Sequence, residues 1–230
     1  MSNTDRATGK AKDRNGIVYE DLMNLYTLFV DFFRVKIYDK GKEVIVFMNT
    51  QDCILTRRSV RKFTNEPVAS ETVEQVVSLA AFAPSWKNTQ VSRYLAVIDP
   101  EDRAQICQYV PDYNARIIGQ CPVLFAQTFV KSRSGYERDG SFSTDRGPGW
   151  QYYDCGIAAQ TLCLAAHDMG LGTVIMGVFD RPALERFLNI PADQELMALI
   201  ALGYPDETPP APRRKDVQTL LSFKRGQSTI

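Results

Sequence analysis

Apolar residues recur along much of the chain with a period that names the element. Between Ser70 and Ala81, the residues Val73, Val76, Val77, Ala80 and Ala81 fall at three- and four-residue steps. That spacing predicts an amphipathic helix with Ser70 as its cap. Arg93–Asp99 (RYLAVID) reads as a strand, and Pro100 opens a short helix, because proline is tolerated in a first turn. Val123–Val130 (VLFAQTFV) is a largely apolar run of strand length, the pattern of a central strand covered on both faces. Tyr152–Met169 is alanine-rich and apolar on all sides, which predicts a buried helix. Gly170 and Gly172 end it, and Asp154 near its start reads as a cap favoured by the helix dipole. Leu196–Leu202 is a further strand, followed by a proline-rich tail. Strands interspersed with helices predict a three-layer domain of the mixed α/β or α+β kind.

The first 47 residues follow no such pattern. Met1–Gly16 is polar and predicted to be disordered. Leu22–Phe33 (LMNLYTLFVDFF) is apolar, but Asp31, Arg34 and Lys36 interrupt it well short of the roughly 20 residues a membrane span requires. It predicts an amphipathic helix that packs on the body or on a second copy. The organisation expected is an N-terminal extension over 1–47 and a single domain over 48–230. Within that domain, Lys131–Gly149 is polar and rich in glycine and serine, a loop suited to covering a site.

Composition narrows the function. The 230 residues include 27 Lys and Arg against 27 Asp and Glu, so no overall charge draws the chain to nucleic acid or an acidic membrane. Positive charge is instead concentrated locally, in Thr56–Phe63 (TRRSVRKF), either as a solvated face or as a pocket for a compact dianion. The five cysteines are scattered, with no CxxC pair and no signal peptide ahead of them. Reduced thiols in a cytoplasmic protein are expected, with Cys155 and Cys163 acting as small apolar residues on one helix. His167 is the only histidine, which removes most metal sites and leaves one residue for any Ser–His or Cys–His scheme. Its place near a helix end predicts a structural role beside the last carbonyls.

Five motifs occur in order: RRSVRKF, APSWKNTQ (Ala83–Gln90), DCGIAAQTLCLAAHDMGLGT, MGVFD (Met176–Asp180) and ALIALGYPDE, with PAPRRK behind the last. From about Met48 to the C-terminus the chain thereby resembles the nitroreductase family of FMN-dependent oxidoreductases. The resemblance implies a nitroreductase-like α+β fold: a homodimeric three-layer α/β/α sandwich around a mixed, mainly antiparallel sheet. It also implies FMN bound at the dimer interface, with NADH or NADPH as a transient reductant in a ping-pong hydride transfer. Nitroaromatics, quinones or similar small acceptors would be reduced. By similarity, Arg57, Arg58 and Ser59 contact the phosphate and ribityl end with Arg61 beside them, and Arg213 and Arg214 close over the same phosphate. Guanidinium forks suit that task because each binds two oxygens.

Pro84 and Ser85 would shape a turn whose Asn88 touches the flavin, commonly from the partner subunit, with Gln90 as a lesser contact. Many members continue Asn-x-Gln-Pro-Trp, whereas Val91 and Ser92 follow Gln90 here, which alters that wall of the pocket. Ile175, Met176 and Gly177 would form a loop that passes the isoalloxazine edge, and Met176 takes no acid–base role. No protein group is implied as nucleophile or base, since the chemistry belongs to flavin N5. Trp86 is read as packing or a dimer contact. Two other readings stay open: a same-fold enzyme with another use of reduced FMN (dehalogenation or flavin fragmentation), and a non-catalytic flavin-binding electron carrier.

Overall fold

The computed structural model describes residues 48–224 and the backbone of two strands further upstream. Those strands, β1 (Val35–Asp39) and β2 (Lys42–Val46), pair antiparallel as a hairpin. The helix expected at Leu22–Phe33 and the disorder expected over Met1–Gly16 lie outside the described residues.

Helix α1 (Thr50–Thr56) is capped by Asn49, whose side chain accepts the Asp52 N–H, and α2 spans Ser70–Ala80. Ala69, not Ser70, occupies the cap position of α2 and no side chain caps it. The valine–alanine stripe therefore forms this helix by burial against the core, with no help from a cap. Strand β3 (Ser92–Val97), helices α3 (Pro100–Ile106) and α4 (Asp112–Ile118) and strand β4 (Val123–Val130) follow. Then come α5 (Gly149–Asp168), β5 (Gly172–Met176), α6 (Arg181–Phe187) and β6 (Gln194–Gly203), and the tail carries α7 (Val217–Leu220).

The main sheet has the order β3-β4-β6-β5, and every pairing between these strands is antiparallel. Its parallel component is a single bridge, Ser59 to Thr173, along the outer edge of β5. Alternation along β4 divides the core in two. Val123 and Phe125 face α2 and α5, packing with Val76, Ala159 and Leu162. Leu124 and Ala126 face the opposite layer, with Ile106, Ile118 and Leu184 from α3, α4 and α6. A bulge at Gln127/Thr128 shifts the register against β6. These are the three expected layers, and β4 is covered on both faces as its apolar run requires.

Helix α5 begins three residues earlier than expected, at Gly149, so Asp154 lies inside it and caps nothing. The cysteines behave as apolar filler: burial pushes the Cys121 thiol up to about 12 and that of Cys155 to about 11, and Cys53 and Cys163 are also buried.

The basic octet also has an interior side. Val60 and Phe63 are buried, while Arg61 and Lys62 between them face outward. The Val60 N–H donates to Thr173 O at 3.0 Å and the Thr64 N–H to Tyr204 O at 2.9 Å. Two apolar anchors and two backbone bonds thus lash a cationic segment across the end of β5 and β6. Gly172 and Gly203, which pair with each other, make room for it. A Cβ on Gly172 would stand 2.8 Å from Val60, and one on Gly203 would stand 2.5 Å from Pro122 and 3.0 Å from Phe63.

Candidate functional site

Ser59 is held to Thr173 at the start of β5, and Ile175 and Met176 end the same strand. Four residue steps from Thr173 to Gly177 cover about 13 Å at the rise of a strand. Along this edge runs a cleft of about 710 Å³ that brings together Arg61, Lys62, Ile175, Met176 and Gly177. Ile175 presents an exposed apolar side chain there, whereas the Met176 side chain turns into the core. The sequence reading treats Ile175–Gly177 as a loop. Its first two residues are in fact strand, because Thr173, Val174 and Ile175 are β-branched and pair with β6.

The cations of this face are partly fixed in place. Arg58 Nη1 donates to Leu55 O at 2.7 Å and to Arg57 O at 2.8 Å. Arg61 Nη1 reaches Ser59 O at 3.2 Å, and its backbone N–H donates to Glu207 Oε1 at 2.6 Å. The cleft also holds Tyr113, Asn114 and Arg116, which lie outside the motifs, and Glu207, the last residue of ALIALGYPDE. The Pro111–Asp112 start of α4 is the signal that would have found that helix.

His167 lies near the first cations. Its Nε2 is 2.8 Å from Thr56 Oγ1, whose hydroxyl donates to Asp52 O at 2.7 Å, so the imidazole nitrogen is the donor to Thr56. Burial, and then the Arg57 and Arg58 charges, hold its pKa below the ordinary histidine range, with Asp168 opposing. The partner of the imidazole is a threonine of α1 and not, as the sequence suggests, the helix's last carbonyls.

The second group of predicted residues lies at the opposite lateral edge of the sheet, before β3. Pro84, Ser85 and Gln90 line a separate cleft of about 320 Å³ with Arg93, Tyr94 and Asp154, and Asn88 is exposed on the adjoining turn. This turn is strained: Lys87, Asn88 and Gln90 have φ of 46°, 54° and 47°, the left-handed region that side chains disfavour. Such strain persists only where neighbours impose it, and it collects at functional sites.

The neighbours are visible. The Trp86 N–H donates to both Asp154 oxygens at 3.1 and 3.2 Å, Ser134 Oγ donates to Asp154 Oδ2 at 2.6 Å, and the Gln90 N–H donates to Ser85 Oγ at 2.9 Å. Asp154 is therefore a buried clamp. Lys87 adds an ion pair to Glu137 at 3.0 Å, and Trp86 packs against Trp150 with ring centroids 4.6 Å apart and the planes tilted by 45°. The loop between β4 and α5 is in this way fastened to the strained turn, and Trp86 is packing, as expected.

Arg213 and Arg214 are exposed on the tail and line neither cleft. The predicted residues thus separate into a cationic strand edge, a strained turn across the sheet, and an outlying pair of arginines. Among the described residues no group of three or more side chains is placed to hold a metal, and no helix is long and apolar enough to cross a membrane.

The model of the nitroreductase family matches residues 54–112 and 104–204, which takes in the octet, the strained turn and every strand of the main sheet. The chain belongs to the nitroreductase family. A relative named NADPH-flavin oxidoreductase, from Vibrio harveyi, is 30% identical over 169 residues, covering 70% of this chain and 68% of that one. The solved structure of the Vibrio harveyi NADPH:FMN oxidoreductase complexed with NAD+ superposes with a TM-score of 0.66 at 25% identity, over 80% of each chain. The family is broader than reductases. The 5,6-dimethylbenzimidazole synthase of Rhodospirillum rubrum is 28% identical over 68% of this chain and 82% of its own. An iodotyrosine deiodinase of Nematostella vectensis is 25% identical over 73% and 72%.

Proposed function

We propose that this nitroreductase-family protein is an FMN-dependent NAD(P)H oxidoreductase acting on nitroaromatics, quinones or similar small acceptors. The observation that carries the reading is the cleft along β5, cationic where the octet crosses the strand and apolar toward Ile175. That polarity fits a molecule with a phosphate at one end and a planar apolar ring at the other. Arg57, Arg58, Ser59 and Arg61 would hold the phosphate and ribityl end, and Ile175, Met176 and Gly177 would border the ring. Gly177 is open there, since a Cβ would meet nothing within 4 Å. FMN, when bound, supplies the hydride transfer between nicotinamide and acceptor.

Pro84, Ser85, Asn88 and Gln90, at the other edge of the sheet, would reach the flavin of a second copy, and Arg213 and Arg214 on the exposed tail would close on the phosphate. A homodimer with two such sites satisfies both placements. The deiodinase and synthase relatives favour a second reading, in which a same-fold enzyme puts reduced FMN to another use, dehalogenation or flavin fragmentation.

The decisive measurement is the absorption spectrum of the purified protein, followed by anaerobic titration with NADH and with NADPH. Bound yellow flavin that bleaches with nucleotide and recovers with a nitro compound or quinone is the expected result. Normal flavin content with no bleaching by either nucleotide would replace the reductase with an electron carrier. Arg57→Ala is expected to lose FMN on gel filtration, and full stoichiometric retention would remove that residue from the site.

The single histidine supplies an independent check. A dianion beside Arg57 and Arg58 offsets the charges that lower the His167 pKa, so adding FMN to apoprotein should raise that pKa in an NMR titration. An unchanged midpoint would place the phosphate elsewhere.

A further inference from the structure

Asn114 stands out behind the β5 cleft. It lies in α4, is 3% exposed, and its Nδ2 donates to Val178 O at 3.1 Å. An apolar side chain would serve this short helix better, because asparagine is a poor helix former and a buried amide is costly unless bonded. The bond it makes reaches away from its own helix, to the segment that leaves β5.

Apart from Phe179, whose side chain packs against the core, that segment has few restraints. Met176 forms the last ladder pair of β5, with Leu199, and Asp180 caps α6 by accepting the Ala183 N–H. Between these fixed points, Gly177 and Val178 are exposed, and no packing could fix Gly177 even with a side chain added. The Asp180 N–H is tied to Tyr109 O at 2.8 Å, which holds the far end. Among the described residues, the amide of Asn114 provides the one side-chain hydrogen bond that orients the peptide groups of 177–179.

We propose that Asn114 is a positioning residue: it sets the Gly177–Val178 backbone against the ring of the bound flavin and so sets the flavin's reduction potential. This rests on the reading that FMN lies in the β5 cleft. Backbone dipoles beside the ring stabilise one oxidation state over the other only while they are held in a fixed direction. Releasing the Val178 carbonyl lets that direction average out.

The test compares full-length wild type with Asn114→Leu, which keeps the branched outline without a donor, and with Asn114→Ala. Each is measured for apoprotein melting, for the FMN dissociation constant by fluorescence titration, and for the flavin midpoint potential. Both variants are expected to bind FMN at least tenfold more weakly. The ratio of affinities for reduced and oxidised flavin should change severalfold, a tenfold change being about 30 mV for a two-electron couple. Hydrogen exchange at 177–180 of the apoprotein should rise at least tenfold in the leucine variant. Variants that melt lower but keep the wild-type potential and affinity would reduce Asn114 to a packing role and overturn the proposal. A wild type that takes up no FMN would overturn the reading of the cleft itself, an outcome separable because it does not depend on the substitution.

Discussion

Gly203→Ala is expected to destabilise the protein by about 3 kcal/mol or to abolish folding, the cost of overpacking where no neighbour can yield. The added methyl would lie 2.5 Å from Cδ and 2.7 Å from Cγ of Pro122, and 3.0 Å from Phe63 Cδ1. A proline ring has no rotamer to retreat into, and Phe63 is buried among the core residues. Gly203 sits in regular strand paired with Gly172, so the position needs empty space and not a left-handed backbone. Relief would require β6 to withdraw from the Val60–Phe63 segment, which would loosen the cationic octet as well. Urea denaturation of the variant against wild type measures the loss, which would be a large share of the 5–15 kcal/mol typical of a domain. A midpoint within error of wild type would show that the segment is not locked in place.

Asp154→Ala should cost about 2–4 kcal/mol, because it leaves a part-buried N–H and a buried hydroxyl without their acceptor. Trp86 N and Ser134 Oγ are those donors. The larger consequence is local. Left-handed backbone at Lys87, Asn88 and Gln90 costs roughly 1 kcal/mol or more at each, and the turn keeps it only while its base is clamped. Without the carboxylate the turn should relax and Asn88 should leave its place. Hydrogen exchange across 85–90 should rise by an order of magnitude or more, and FMN uptake should fall with it. Asp154→Asn retains one acceptor oxygen and should lie between the two. Unaltered exchange in the alanine variant would mean that Lys87–Glu137 and the Trp86–Trp150 contact hold the turn by themselves.

Periodicity made the middle of the fold legible. The stripe of α2, the unbroken run of β4 and the all-round apolarity of α5 each dictate burial, and burial dictates layer. Signals from a single residue fared worse. Ser70 looks like a cap, but Ala69 takes that position because packing sets where α2 begins. Asp154 also looks like a cap, since a sequence does not show that α5 starts five residues earlier or that a turn 68 residues upstream needs an acceptor.

Strand β5 is only five residues long and opens with a glycine, so it gives too little alternation to separate it from a loop. The octet was readable as charge but not as architecture: the burial of Val60 and Phe63 depends on two glycines more than 100 residues away. Asn114 could not have been found from sequence, because one amide in a seven-residue helix carries no pattern.

Arg58 is tethered to two carbonyl oxygens of its own chain before any anion arrives. Side chains of this length ordinarily forfeit considerable rotamer freedom on capturing a ligand, and here that loss has already occurred during folding. On the proposed function, an incoming phosphate would meet a preset electrostatic socket, so association there should be fast, and lysine, lacking the second arm of the fork, should be a poor substitute at position 58.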